Sequence, residues 1–238
     1  MKRLAFALAA AVLGTACGST TPPPCNPSAT IDWGSGAAGT GLRDPDGNPI
    51  DCQTAGATWV DVFVNGGFVG TFNCGDGAGT VPLVRGANDV VVEAGRSQSD
   101  ILFRDRFTTT ASSCGPQGVV PSHPGQGWLA VNYSFQGGVD CYSPGPTYMH
   151  LAVRDDLAFP DGGFSDTGFG TFEQCSITAA APRYPVAIGD YTFLGINEVA
   201  GNGAILAAGC ADLPFIIGRA ATTTVTPVLS TTSSTACF

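Results

Sequence analysis

The chain has 238 residues, a formal net charge of −9, and 12% charged against 44% hydrophobic residues. The acidic balance argues against nucleic-acid binding, because neutralising phosphates needs patches of Lys and Arg. The 33 glycines and 17 prolines favour short strands joined by many turns, and the hydrophobic fraction is large enough to build packed cores. No cofactor is expected from the composition.

The first element in the chain is a secretory signal over residues 1–16. A short basic start precedes an apolar run from Leu4 to Leu13 that is too short to cross a bilayer. Small residues, Gly14-Thr15-Ala16, then precede Cys17, where a bacterial lipoprotein is cut and lipidated. Residues 17–24 follow as the lipidated cysteine and a proline-rich tether.

Two interpretations of Cys17 remain open. The lipoprotein pattern places Leu three positions before the cysteine, where this chain has Gly14, so ordinary signal-peptidase cleavage nearby is the alternative. Lipidation is favoured because removing Cys17 from nine cysteines leaves an even number in an exported chain. Lipidation at Cys17 predicts an outer-membrane lipoprotein, which is exported to the periplasm or the cell surface and is held to the membrane by its lipid.

After the tether, the chain repeats itself. The matched pairs of segments, in chain order, are Ile31-Asp32-Trp33 with Val131-Asn132-Tyr133, Ile50-Asp51-Cys52 with Val139-Asp140-Cys141, Thr58-Trp59 with Thr147-Tyr148, Asp89-Val90 with Asp190-Tyr191, and Thr108–Thr110 with Thr222–Thr224. Because the matched segments occur in the same order in both halves, they predict two copies of one module. We place the first module at 25–115, a linker at 116–126 and the second module at 127–238.

Inside each module, hydrophobic residues alternate with the period of two that is typical of β-strands. Val60, Val62 and Val64 alternate, so they share one face of a strand, and Asn65-Gly66 is a strong hairpin signal before the chain returns. Turn signals recur along both modules. The pattern predicts an all-β fold of two tandem, disulfide-stapled antiparallel β-sandwich (Ig-like) domains after a cleaved signal.

The duplication also predicts the disulfides. Equivalent cysteines in the two copies give Cys52–Cys74 and Cys141–Cys175. Of the four cysteines that remain, we pair Cys25 with Cys114, closing the first module end to end, and Cys210 with Cys237 in the second.

The module resembles the Ig-like or fibronectin-like sandwiches of surface lipoproteins from high-GC bacteria such as myxobacteria. The resemblance rests on Cys52, Thr58-Trp59-Val60, Phe72, Cys74 and Asp89-Val90-Val91, and on their second copy. It implies a cell-envelope β-sandwich protein and specifies the fold much better than the function.

One segment offers closely spaced oxygen ligands for calcium. The candidates are Asp44, Asp46, Asn48 and Asp51. The glycine of this segment is not at the position that an EF-hand loop requires, and Asp-Gly and Asn-Pro are also plain turn formers. Two interpretations of this segment therefore remain, a site for a structural calcium ion and a simple turn, and the turn is favoured.

Aromatic residues could stack on a sugar. Trp59 and Tyr148 occupy equivalent places in the two copies, which favours a core role for both. Trp128, next to the linker, is the candidate for an exposed aromatic in contact with a ligand.

Catalytic chemistry has little support. His123 lies in the linker, His150 aligns with Asp61 at a position we expect to face solvent, and no Gly-x-Ser-x-Gly elbow accompanies them. We therefore expect no enzyme. The preferred hypothesis is a non-catalytic envelope lipoprotein with a structural or adhesion role, whose partner is an unknown extracellular protein or glycan. A glycan- or ligand-binding module and, more remotely, a secreted hydrolase are the alternatives.

Overall fold

The computed structural model describes residues 25–34, 41–97, 100–137, 141, 147–158, 164–167, 172–175, 183–211 and 214–230. The predicted signal segment, Cys17, the tether and the Cys210–Cys237 pairing lie outside these residues. Within the described residues, no helix has the length and apolar character needed to cross a membrane.

The first half of the chain forms two facing sheets, with strand orders β6-β1-β9 and β5-β4-β7-β8, which we call the first sandwich. Its elements are β1 (Ser28–Asp32), β2 (Leu42–Arg43), β3 (Pro49–Ile50), α1 (Cys52–Ala55), β4 (Trp59–Val64), β5 (Gly67–Asn73), β6 (Ala78–Pro82), β7 (Gly86–Ser97), β8 (Asp100–Ala111) and β9 (Pro116–Pro121).

The second half repeats this arrangement as the second sandwich. Its smaller sheet has the order β15-β10-β19, and in its larger sheet β12 pairs with β13 and β14 on one side and β16 on the other. The strands are β10 (Gln126–Val131), β11 (Ser134–Phe135), β12 (Thr147–Ala158), β13 (Phe164–Thr167), β14 (Phe172–Gln174), β15 (Arg183–Ala187), β16 (Gly189–Ala200), β17 (Ile205–Ala211), β18 (Phe215–Ile217), β19 (Thr222–Val225) and β20 (Val228–Leu229). The β-sandwich fold class is confirmed.

Each sandwich encloses its own hydrophobic core. The alternating Val60, Val62 and Val64 of β4 all face the first core. Met149, Leu151 and Val153 of β12 face the second. The period-two pattern of these strands therefore identifies the buried face correctly in both copies.

The predicted hairpin is present between β4 and β5. Asn65 and Gly66 form its turn with positive φ values of 53° and 77°. Both central residues of a type I′ turn need this left-handed backbone, which asparagine and glycine tolerate best. The Asn65 side chain also accepts a hydrogen bond from the Asp89 backbone N–H, tying the turn to β7.

Strand pairing corrects two details of the repeat. Val64 pairs with Val90 and Val153 with Leu194, so Leu194 rather than Tyr191 is the equivalent of Val90. The two threonine runs are not equivalent either. Thr108–Thr110 lie on β8 in a large sheet, whereas Thr222–Thr224 lie on β19 in a small one. Tyr191 lies at the same spacing from Cys175 as Val90 does from Cys74, but that spacing misleads because Leu194 is 19 residues after Cys175 and Val90 only 16 after Cys74.

Three of the four predicted disulfides lie in the described residues, and all three are formed. Cys25 bonds to Cys114, Cys52 to Cys74 and Cys141 to Cys175. The first bridge joins the segment before β1 to the loop between β8 and β9. The second joins α1 to the turn after β5, and the third joins Cys141, between β11 and β12, to the residue that follows β14.

The predicted linker 116–126 is misplaced. Pro116–Pro121 form β9, which pairs in parallel with β1 of the first sandwich, and Gln126 already belongs to β10. The remaining connection is Ser122–Gly125. Gly and Pro suggested a linker, but β9 is an edge strand, where missing N–H donors are tolerated.

Candidate functional site

The most elaborate polar arrangement of the described residues lies where the two sandwiches meet; we call it the joint. It is built from Arg104, Asp105, the connection Ser122–Gly125, Trp128 with Asp46, and Arg219. Strands β10, β13, β15 and β16 of the second sandwich all contact β8 of the first. A single strand therefore carries most of the contact between the halves.

Arg104 of β8 is buried and binds in two directions. Its Nε donates to Glu93 Oε1 at 2.7 Å within the first sandwich. Its guanidinium carbon lies 6.0 Å from the centre of the Tyr191 ring in the second sandwich, within cation–π range. Gly189 leaves room for it, because a Cβ there would stand 2.6 Å from Arg104 Nη1.

The neighbouring Asp105 is the polar centre of the joint. Its Oδ1 accepts from Arg219 Nη2 at 3.1 Å, an ion pair between the two sandwiches. Its Oδ2 accepts from the Ser122 hydroxyl at 3.1 Å and from the His123 backbone N–H at 2.6 Å. Charge-assisted bonds of this kind are stronger than neutral ones. One carboxylate thus holds both the connection and the second sandwich.

Backbone hydrogen bonds fix Gly125 between the halves. Gly125 exchanges bonds with Arg104 in both directions, at 2.7 and 3.1 Å, and its carbonyl also accepts from Ile188 N–H at 3.1 Å. The preceding Pro124 carbonyl accepts from Arg43 N–H at 2.8 Å. The connection is therefore bonded to the first sandwich along its length and to the second at Gly125, unlike a flexible linker.

Trp128, predicted as an exposed aromatic for a ligand, is half-buried in the joint. Its indole Nε1 donates to Asp46 Oδ1 at 2.9 Å, across the boundary between the halves. On β10 it alternates with Leu129, which faces the second core, so Trp128 points out of that sandwich and against the first. Trp128 is thus half-buried rather than fully exposed, because the first half covers part of this face, and its contact with a ligand stays a prediction.

The four predicted calcium ligands have separate partners: Asp44 and Asn48 bond to each other in a local turn, Asp46 binds Trp128, and Asp51 caps α1. Asp44 Oδ1 accepts from the backbone N–H groups of Asp46 and Asn48, and its Oδ2 accepts from the Asn48 side chain. Burial is the largest single influence and raises the pKa of Asp44, but its several hydrogen bonds together outweigh burial and lower that pKa below its ordinary value. The turn interpretation accounts for this side chain.

Asp51 has a separate task. It caps α1 by accepting from Thr54 N–H at 2.7 Å, and this bond lowers the pKa of Asp51. Among the described residues, the carboxylates of Asp44, Asp46 and Asp51 do not form a close group of ligand atoms. The close group of such atoms among the described residues is Cys141, Cys175 and Glu198, and its two sulfur atoms form a disulfide.

The histidines do not assemble a hydrolytic triad within the described residues. Ser122, His123 and Asp105 are neighbours, but the serine hydroxyl and the histidine backbone both bind the aspartate, and Ser122 is fully buried. A triad needs the imidazole between serine and carboxylate. Burial lowers the pKa of His123, with an opposing contribution from Asp105 and a supporting one from Arg219.

His150 pairs with Asn197 and Phe172 on the outer face of the second large sheet. It is half-buried, and burial lowers the pKa of its imidazole. Its counterpart Asp61 is fully buried, so the expectation of a solvent-facing position is wrong for both. The core role expected for Trp59 and Tyr148 is also wrong, because each lies on the outer face of the large sheet of its own sandwich. Tyr148 is 38% exposed.

A small pocket of about 260 Å³ lies beside the Cys52–Cys74 disulfide. Trp33 lines it but is itself buried, and its Nε1 donates to the Cys74 carbonyl at 3.1 Å. Sequence reasoning missed the joint entirely. Arg104, Asp105 and Arg219 are isolated charges in the sequence, and only the fold brings them together.

A scan against protein-family models and a search of curated proteins gave no match. Among solved structures, the chain is similar to a leucine-rich repeat protein from Bacteroides thetaiotaomicron, with TM-score 0.30 and 10% identity over 87% of this chain and 27% of that one. It is similar to the TIE protein of Bacillus anthracis, with TM-score 0.29 and 11% identity over 86% and 34%. The chain thus spans about a third or less of these two proteins.

A third similar structure is GBS52, the minor pilin of Streptococcus agalactiae, with TM-score 0.31 and 14% identity over 85% of this chain and 95% of that one. Pilins from Streptococcus pyogenes and Lactobacillus rhamnosus are also matched. Similarity at these TM-scores carries no functional argument, so the function is argued from the residues.

Proposed function

We propose that this chain is a non-catalytic lipoprotein of the bacterial cell envelope, in which two sandwiches form a rigid spacer with a structural or adhesion role. The observation that carries the proposal is the joint. Arg219 of one sandwich binds Asp105 of the other, and Gly125 is hydrogen-bonded to both. A spacer needs this property, because flexibly linked domains transmit neither distance nor orientation.

The covalent framework supports a location outside the cytoplasm. Disulfides persist in oxidising compartments, and three are formed in the described residues. The bridge between Cys25 and Cys114 ties the start of the first sandwich, which follows the predicted tether at 17–24, to the loop between β8 and β9. We place the boundary between the two modules at 122–125, within the joint.

In this proposal the lipid on Cys17 binds the membrane and the tether separates the first sandwich from it. Several acyl chains on one cysteine make anchoring durable, whereas one chain binds only weakly. The partner at the far end is an extracellular protein or glycan whose identity the chemistry of the described residues does not specify.

The test is metabolic labelling of the source bacterium with an alkyne fatty acid, comparing the wild type with Cys17→Ser. We expect label and membrane partition for the wild type, and an unlabelled, released protein for the variant. Cys17→Ser keeps Gly14-Thr15-Ala16, so ordinary cleavage and export remain available to it. A wild-type protein that is unlabelled and free in the medium would refute the anchor.

The spacer role needs a second strain with Arg219→Ala, which leaves the anchor intact. We expect normal amounts of labelled protein but reduced cell adhesion or envelope integrity, measured as cell attachment and as resistance to detergent. If deletion of the whole protein changes neither property, the structural or adhesion role is wrong even where labelling succeeds.

A further inference from the structure

A row of four polar side chains crosses the large sheet of the first sandwich, on the face away from the core. Strand register places Thr71 of β5 opposite Asp61 of β4, Asp61 opposite Glu93 of β7, and Glu93 opposite Arg104 of β8. Asp61 and Glu93 are both fully buried. Two carboxyl groups thus face each other across neighbouring strands without access to water.

The two carboxyl groups have different partners. Glu93 Oε1 accepts from Arg104 Nε at 2.7 Å, so a buried cation balances its charge. Asp61 Oδ1 is hydrogen-bonded to the neutral Thr71 hydroxyl. Asp61 Oδ2 is buried, and no group of the described residues hydrogen-bonds to it. The described contacts of Asp61 therefore contain no positive charge.

Other charged groups of this face are engaged elsewhere. Arg106 binds Asp89 at 2.8 Å, and Arg96 binds Asp100 at 2.8 Å. Strands of the second sandwich that contact β8 carry further titratable residues, and of these Tyr191 faces Arg104. The remaining ones, on β13, β15 and β16, are Asp166, Arg183, Tyr184, Asp190 and Glu198.

An ionised carboxylate is strongly disfavoured in such a place. It loses its hydration, meets no cation, and lies beside the carboxylate of Glu93. A neutral carboxylic acid avoids all three costs. Burial raises the pKa of Asp61, and the hydrogen bond with Thr71 opposes only part of that effect.

We propose that Asp61 keeps its proton in the folded protein at neutral pH, so that at this residue the first sandwich binds one proton more than its unfolded chain and gains stability as the pH falls from neutral towards the unfolded pKa. The second sandwich lacks this pair, since His150 and Asn197 occupy the corresponding opposed positions of β12 and β16. Among the described residues, this opposed carboxyl pair therefore belongs to the first sandwich.

The sign of the pH dependence follows from the linkage between proton binding and folding. A carboxyl group whose pKa is raised by folding contributes its full stabilisation below the unfolded pKa, about 3.9 for aspartate. That contribution is lost as the pH rises towards the folded pKa. Within this window, one proton makes the unfolding equilibrium constant of the first sandwich rise about tenfold per pH unit.

The direct test is NMR of the full chain labelled with ¹³C at aspartate Cγ. At pH 7 we expect one resonance at the position of a protonated carboxyl, absent in Asp61→Asn. In parallel, urea unfolding followed by first-sandwich amide signals gives the pH dependence. Asp61→Asn keeps the shape without the charge, and it is expected to remove the tenfold slope and to be more stable than wild type at pH 8.

The exposed Asp76→Asn serves as the matched control and is expected to retain both the resonance and the slope. Wild-type protein with every aspartate Cγ at a carboxylate position at pH 7 overturns the proposal, and that measurement stands even if Asp61→Asn fails to fold. An undiminished slope in Asp61→Asn also overturns it. So does a protonated aspartate signal that survives in Asp61→Asn, because the proton would then lie on another aspartate.

Discussion

Gly127 of β10 shows how closely the backbone packs in the second sandwich. A Cβ at this residue would stand 2.2 Å from the Gly218 carbonyl oxygen and 2.9 Å from Ile217 Cγ2. The nearest atom belongs to the backbone, so a rotamer change cannot relieve the overlap. We expect Gly127→Ala to lower the unfolding free energy by about 1–3 kcal/mol, the usual cost of overpacking, in urea denaturation followed by circular dichroism.

Gly201→Ala is the matched control for that substitution. Nothing lies within 4 Å of a Cβ at Gly201, and its φ is not in the left-handed region. The control is expected to stay within about 0.5 kcal/mol of wild type. Equal stability of the two variants would mean that β10 and the segment at Gly218 are not in close contact.

Among the elements, the Cys25–Cys114 bridge offers the clearest energetic test. Both residues are exposed, so replacing them removes little packing. The bridge closes a segment with a sequence separation of 89, for which the chain-entropy model gives about 4–5 kcal/mol. We expect the Cys25→Ser, Cys114→Ser double variant to lose most of that free energy of unfolding, measured by urea denaturation of the first sandwich.

Cys25→Ser alone provides the internal control, since it breaks the same bridge. The single and double variants should agree within about 0.5 kcal/mol, because neither side chain is buried. A loss under about 1 kcal/mol in both would show that the ends of the first sandwich are held by strand pairing between β1 and β9.

The elements also show what a sequence can specify. The valine alternation of β4 and the turn at Asn65-Gly66 are local signals, and both appear as expected. Trp128 and Asp61 follow the same alternation and point away from their cores, yet they are covered. Outward-facing residues are exposed only if nothing packs on that face, and in these two cases covering depends on chain segments remote in sequence. The joint could not be inferred from local patterns for the same reason.

For the whole molecule, the decisive property is the relative orientation of the two sandwiches. The Arg219–Asp105 pair is partly exposed, with Arg219 at 36%, so it contributes about 1 kcal/mol or less and is weakened by salt. Its loss should therefore loosen the orientation without unfolding either half. We expect residual dipolar couplings of the wild type to fit one alignment tensor, and those of Arg219→Ala to need two of different magnitude.

Arg85→Ala is the control, because Arg85 is exposed and carries the same charge. It should keep a single tensor, and it separates the specific pair from the general loss of a positive charge in an acidic chain. A single tensor in Arg219→Ala would mean that the backbone bonds of Gly125 and the Trp128–Asp46 contact suffice to fix the joint. The ion pair would then be a by-product of an orientation set by strand packing against β8. Trp128→Phe, which removes the indole donor, would become the variant expected to loosen the relative orientation of the two sandwiches.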